Sequence, residues 1–470
     1  MSAVVRPPAT HALAVRAFRR YLLGQLVSNI GTWMQRAAQD LLVLHTTGNS
    51  GSAVGTVTAL QFLPGTLLGL TGGVLADRYP RRRTLLLTQT AMAAQSLLLG
   101  LLTVTGAVNL PSLYALALAL GAATALDGPA RNAYIGELVS REHTAGAVSL
   151  NAAQFNVARA VGPALAGLAV AALGTGPVFL LNTVSYLAVL HGLVTIRTDA
   201  PDAPARARPG PTRVSEALRH IATTPDLLLP IGLVAFVGTF GLNFQVTISL
   251  VAVTVFHTGA ASFGWLSAAY ALGGLLGALH RAHHGKPPTR RRLASTAIGF
   301  GALEIAQGLM PDYGSFLLLL FLTGYAAVTV TTTANALVQL HADPPLRGRV
   351  LSVYFLVLLG GTPVGAPLVG LVSDTLGARF TLVLGGAVSL VAALALGVLA
   401  RGRGARSPRR RRGPAPAVEG AAACPAPAHL SLTTCRSCPG CERAPAGQER
   451  TPWAASRRRR GRALTEEWRE

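Results

Sequence analysis

The chain has 470 residues, 50% of them hydrophobic and only 13% charged, with a mean hydropathy of +0.44. A soluble domain carries about 25% charged residues, and the shortfall lies before residue 400, because 16 of the 41 basic residues follow Ala400. A water-soluble globular protein is thereby excluded, and the net charge of +22 must be read by where the charges fall rather than as a sign of nucleic acid.

Residues 1–20 are a basic start carrying Arg6, Arg16, Arg19 and Arg20. The apolar run after them is too long for a signal peptide and no small-residue cleavage site follows it, so it reads as a retained span. Twelve apolar runs follow in chain order: 21–44, 52–76, 84–105, 112–131, 149–172, 176–196, 227–256, 263–280, 293–310, 314–340, 350–373 and 380–400. Each approaches the ~20 residues needed to cross a ~30 Å hydrocarbon core. Helices are expected, since lipid offers backbone groups no partner and the runs lack the alternation of a barrel. Pro64, Pro163, Pro230, Pro363 and Pro367 within them are tolerated in packed membrane helices.

Between the sixth and seventh runs, 197–226 breaks the pattern with "DAPDAPARARPGP" and then "VSEALRHIATTPDLL", which reads as a short amphipathic surface helix. The chain therefore divides into six-helix bundles at 21–196 and 227–400, joined by a linker. After Ala400 it turns Arg-, Pro- and Ala-rich, and 401–470 is expected to be disordered, with basic runs suited to anionic lipid head groups. Cys424, Cys435, Cys438 and Cys441 all lie there. No folded surround supports a metal site, and cytosolic thiols stay reduced, so neither metal nor disulfide is expected.

Alternate gaps hold the basic residues: four in the N-terminal segment, four at 78–83, two at 131–141, five at 197–219, five at 281–292 and two at 347–349. The intervening gaps hold no Lys or Arg apart from Arg379. By the positive-inside rule both termini are cytoplasmic, and "GGVLADRYPRRR" at 72–83 is a cytoplasmic loop. The halves also echo each other. "GPALAGLAVAALG" places Gly162, Gly167 and Gly174 where "GAPLVGLVSDTLG" places Gly365, Gly370 and Gly377, 203 residues later. Gly69 and Gly73 are repeated as Gly273 and Gly277. Small residues at this spacing mark close helix contacts, and parallel six-helix repeats are a transporter architecture.

Arg outnumbers Lys 40 to 1, as in a GC-rich bacterial genome. The sole Lys286 precedes Pro287, so there is no phosphate loop. No nucleophile elbow or HExxH motif occurs. No cofactor is implied, an enzyme has no support, and transport energy must come from an ion gradient, the substrate gradient or a partner.

"GGVLADRYPRRR" resembles the signature loop between helices 2 and 3 of the major facilitator superfamily. "GQLVSNIGTWMQRAAQDLLVL", "DGPARNAYIGELVSREH", "NAAQFNVARAVGPALAG", "FGLNFQV" and "LRGRVLSVY" resemble its drug and siderophore exporter branch, over about 18–400. The resemblance implies an all-α membrane protein of twelve helices in two pseudo-symmetric six-helix bundles. It also implies a gating latch with Gly73 as the small residue, Asp77 as the acid and Arg81 as the base, beside Arg82, with Asp127 as an acid able to pair with that base. Pro80 stands where a glycine is usual. Gly162-Pro163 resembles the fifth-helix motif of proton-coupled antiporters, and Gly162, Pro163, Gly365 and Gly370 are expected to shape helix packing.

Charged residues within spans are costly and default to function. Arg36 and Asp40 lie four apart on one face and can neutralise each other, with Asp40 near the outer edge. Arg159 and Glu304 fall near mid-depth, and Glu304 is the candidate for reversible protonation. Asn29, Gln61, Gln154, Asn243, Gln245 and Asn335 are candidates for a central cavity. Together these point to a monomeric secondary transporter in the bacterial inner membrane. It would export an amphipathic drug, antibiotic or siderophore, neutral or anionic, by alternating access and proton antiport. The rivals are an uptake symporter of the same fold and a membrane sensor or scaffold whose tail binds lipid or nucleic acid.

Overall fold

The computed structural model describes residues 9–68, 80–196, 214–284 and 287–406. Gly69, Gly73, Asp77, the 197–213 stretch and the tail with its four cysteines lie outside them. Among the described residues the regular structure is helical, without strands. After a 3-10 turn at Ala9–Ala14 come α1 (Arg16–Thr46), α2 (Gly51–Leu68), α3 (Arg81–Val104), α4 (Leu110–Leu138), α5 (Arg141–Leu173) and α6 (Thr175–Thr195). The short α7 (Val214–Thr223) precedes α8 (Pro225–Phe236) and α9 (Phe244–Leu250), followed by α10 (Ala260–His284), α11 (Arg290–Gly308), α12 (Tyr313–His341), α13 (Arg347–Leu376) and α14 (Ala378–Arg406).

Twelve spans result, the seventh being a composite of α8 and α9. It contains π turns at Val237–Gly241 and Val251–Val255 and is interrupted around Leu242 and Asn243. Among the described residues nine helical spans are long and apolar enough to cross a membrane. The first helix is not one of them, because Gln25, Ser28, Asn29, Thr32, Gln35, Arg36, Gln39 and Asp40 all lie buried along it. Its polar stripe faces protein rather than lipid, which hydropathy alone cannot express. The expected boundary of the fourth span at 131 is corrected: α4 continues to Leu138 and α5 begins at Arg141. Arg131, counted above as a loop charge, is thus inside a helix.

Both halves use one packing scheme. In the first, α1 packs on α5 and α6, α2 on α4, and α3 on α4 and α6. In the second, the seventh span packs on α13 and α14, α10 on α12, and α11 on α12 and α14. Across the interface α2 meets α13 and α5 meets α10, which is again a symmetric pair.

The echoed glycines explain why. A Cβ on Gly162 would strike Trp33 and Met34 of α1, and one on Gly365 would strike Thr239 of the seventh span. One on Gly167 would collide with Gly264, and one on Gly370 with Gly51, each across the interface. Gly174 and Gly377 end their helices at φ +81° and +92°, in the left-handed region that side chains avoid. Each glycine of the triplet does the same work in both halves. Gly121 and Gly324, also 203 apart, likewise let α4 and α12 close on the backbone carbonyls of α2 and α10. Gly273 and Gly277 serve that second contact from the α10 side.

The connections at one end, 47–50, 105–109, 174, 256–259, 309–312 and 377, hold no Lys or Arg. Side-chain caps start helices there: Asn109 accepts from Ser112 N at 2.9 Å and Asp312 from Ser315 N at 2.9 Å. Those bonds to Ser315 hold the Asp312 carboxyl below its ordinary range. The opposite, basic end carries the first turns of α3 and α11 with Arg81, Arg82, Arg83, Arg290, Arg291 and Arg292.

Candidate functional site

The stripe on α1 ties the first half together. Gln35 donates to Gln95 Oε1 at 2.9 Å and accepts from Asn182 Nδ2 at 2.6 Å. Gln61 donates to Gln39 Oε1 at 3.1 Å, and Thr32 meets the Tyr186 hydroxyl at 2.9 Å. Asn29 donates to Gln154 Oε1 at 3.1 Å, and Gln154 to Asn151 Oδ1 at 3.1 Å. Three of the six cavity candidates, Asn29, Gln61 and Gln154, thus bond other side chains of their own half. Asn243 donates to Thr239 O at 2.6 Å, and Asn335 accepts from Gln339 of its own helix.

Nearer the basic end a buried ion pair departs from expectation. Asp127 pairs with Arg131, one turn on, and accepts from Thr88 at 2.9 Å and Gln89 at 2.8 Å. Arg131 also donates to Asn29 at 3.0 Å. Asp127 and Arg81, expected as possible latch partners, stand apart in this structure. Arg81 binds Glu137 at 2.8 Å, ten residues along α4 from Asp127, or ~15 Å of helix. Arg82 donates to Leu193 O at 2.7 Å and Val194 O at 2.8 Å, closing the last turn of α6.

Among the described residues two polar contacts cross between the halves. Gln245 of α9 donates to Asp40 Oδ2 at 2.8 Å, while Asp40 Oδ1 has no partner. Asp374, near the end of α13, accepts from the backbone N–H groups of Gly51 at 2.5 Å and Ser52 at 2.9 Å, and from Ser50 Oγ at 3.3 Å. Its carboxylate sits on the N-terminus of α2, where the open amides and helix dipole favour an anion.

Arg36 and Asp40 lie close enough to interact electrostatically, as expected, but without a direct contact. Among the described residues no ion pair joins them; the guanidinium lies 4.9 Å from the Trp33 ring centroid and 4.6 Å from that of Phe62. The aromatic faces draw it aside. Asp40 is wholly buried. Arg159 on α5 is exposed.

Glu304 of α11 is 2% exposed, and its Oε2 has no hydrogen-bond partner among the described residues. A Cβ on Gly241 would lie 3.1 Å from Oε2 and 2.9 Å from Ser389 Oγ. One on Gly385 would lie 2.9 Å from Oε1. Two glycines thus make the room for this carboxyl, beside an unpartnered Ser389 hydroxyl and the interrupted seventh span.

A family model described as transmembrane secretion effector matches residues 9–419. The chain belongs to this family. It is a multi-pass membrane protein of the major facilitator superfamily. Among its relatives, enterobactin exporter EntS of Citrobacter koseri is 27% identical over 388 residues, covering 82% of this chain and 90% of that protein. Multidrug efflux pump Tap of Mycolicibacterium fortuitum is 26% identical over 377 residues, covering 77% and 90%. A bacterial homologue of the human lysosomal transporter Spinster, solved inward-facing and unoccupied, superposes with TM-score 0.68 at 15% identity, over 82% of this chain and 97% of that one. The nucleoside transporter NupG superposes with TM-score 0.64 at 12% identity, covering 82% and 98%.

In this family member three polar residues escaped the reading of the sequence: Arg131, Glu137 and Asp374. The first two were legible in principle, as an acid-base pair four apart and an acid on the last turn of the same helix. Asp374 was not, since its partners are backbone amides more than 320 residues away in sequence.

Proposed function

We propose that the protein exports an amphipathic small molecule by alternating access and proton antiport. It works as a monomer in a bacterial cell membrane, with its basic end and both termini in the cytoplasm. One observation carries this. Asp374 and Asp40 fasten the halves to each other toward the charge-poor end, whereas Arg81–Glu137 and Arg290–Asp226 at the basic end each close within one half. Among the described residues the ties between the halves thus gather toward the charge-poor end, which supports a state closed on that side.

Glu304 is the proton carrier in this scheme: its carboxyl is buried with no ion pair among the described residues and meets water only when the path opens. Asp40 adds a second exchangeable group whose bond to Gln245 must break as the outer face opens. Asp77 and Arg81 form part of the latch that holds the cytoplasmic face closed in the other state. The relatives that export enterobactin and that act as a multidrug efflux pump support the outward direction and the amphipathic cargo. The test is transport of amphipathic compounds into inverted vesicles under an imposed proton gradient, acid inside. Accumulation that a protonophore collapses is expected; accumulation indifferent to the protonophore, or found only in right-side-out vesicles, overturns the proposal.

A further inference from the structure

Arg36 is the most anomalous charge in the molecule. It is 6% exposed, and among the described residues its side chain makes no hydrogen bond or ion pair; its Nε is fully enclosed without a partner. The carboxylate one turn away, Asp40, is committed to Gln245 from the opposite half. Asp40 lies within electrostatic reach but gives the guanidinium no acceptor, and a buried cation with unmet N–H groups is unfavourable, so a further anionic group would complete it.

Its surroundings say which kind. The guanidinium lies over the Trp33 and Phe62 rings, and its N–H fork, the part that grips a carboxylate bidentately, makes no hydrogen bond among the described residues. Phe155 of α5 stands edge-on to Trp33, with centroids 5.9 Å apart, and is 40% exposed. The indole is locked from behind, since even a Cβ on Gly162 would strike it. One turn along α5 from Phe155 lies Arg159, exposed and close to Tyr270 of α10 in the opposite half. An exposed arginine at mid-span faces the path between the halves and not hydrocarbon. The helices involved, α1, α2 and α5, are those of the first half that touch the second. Three aromatic rings and two arginines thus line one stretch of that path.

We propose that Arg36 and Arg159, with Trp33, Phe62 and Phe155, form a subsite for aromatic anions: a ring between the aromatic walls and its acid group on the guanidinium fork. The subsite rests on the export reading only in being part of a transport path. It narrows the cargo class, because two guanidinium groups stand against one carboxylate, Asp40, which is bonded through Oδ2 to Gln245.

The test uses the full chain in lipid nanodiscs and three ligands of one shape: 1-naphthoate, 1-naphthalenemethanol and 1-naphthylmethylammonium, with binding measured by calorimetry. The anion should bind at least about tenfold more tightly than the cation, as one charge-assisted contact implies. Arg36→Gln and Arg159→Gln should each weaken naphthoate about tenfold while changing naphthalenemethanol by less than about twofold. Arg159 is exposed, so its variant keeps the fold even where loss of Arg36 disturbs packing. Equal binding of cation and anion, or naphthoate binding unchanged in Arg159→Gln, overturns the subsite. Arginine-dependent naphthoate binding without vesicle transport of any compound would uphold the subsite and remove the export reading. Protonophore-sensitive export without such binding would do the reverse.

Discussion

Asp374 and Glu304 illustrate two opposite uses of a carboxyl in a membrane. Asp374 is satisfied by the first amides of a helix in the other half, so its contribution exists only while the charge-poor end is closed. Asp374→Asn keeps the shape but removes the charge, a loss of about 1–2 kcal/mol for an anion at a helix N-terminus. That shifts a two-state equilibrium roughly five- to thirty-fold. Spin labels at Gly48 and Thr375 should therefore report a larger population of long distances in the variant; an unchanged distribution would reduce Asp374 to a surface cap. Glu304 has no such partner, and its cost is offset only if it is neutral. Glu304→Gln should preserve folding and cargo binding yet uncouple transport from the pH gradient, read as counterflow that persists while gradient-driven accumulation is lost. Retained accumulation would make Glu304 structural. Glu304 was legible in the sequence as a lone acid amid an apolar run. Its solitude was not, because absence of a partner is a property of neighbouring helices.

The helices owe their mutual distances to glycine. Gly273 and Gly324 sit in one contact, where a Cβ on either would collide with a backbone carbonyl of the facing helix. Gly273→Val should separate α10 from α12 and cost about 1–3 kcal/mol by overpacking, seen as a lowered midpoint of thermal unfolding in detergent. Gly299, with open space at its Cβ, is the control and should tolerate alanine. Loss of stability at both positions alike would refute a contact-specific role. The glycine triplets at 162–174 and 365–377 were visible as an echo, and the spacing alone foretold close packing. Which helix each glycine meets was not visible: Gly162 turns inward to α1, while Gly167, five residues on, meets the other half.

At the scale of the molecule, the charge alternation makes a sharp claim about orientation. Cysteines introduced at Gly48 and Asn109 should react with an impermeant maleimide added to intact cells, and one at Pro345 should react only after the membrane is opened. Labelling of position 345 from outside would invert the topology. Span number and twofold repeat were determined by the sequence itself, because each follows from transfer of local segments into lipid, where length and polarity decide. Tertiary structure alone decided the rest. It set the pairing of Asp127 with Arg131 and of Arg81 with Glu137, the placing of the Arg36 guanidinium against Trp33 and Phe62, and the capture of α2 by Asp374. Each of these depends on depth, register and facing across helices distant in sequence. A side chain in a bilayer bonds to whatever group lies at its own depth, and only the packed bundle fixes which group that is.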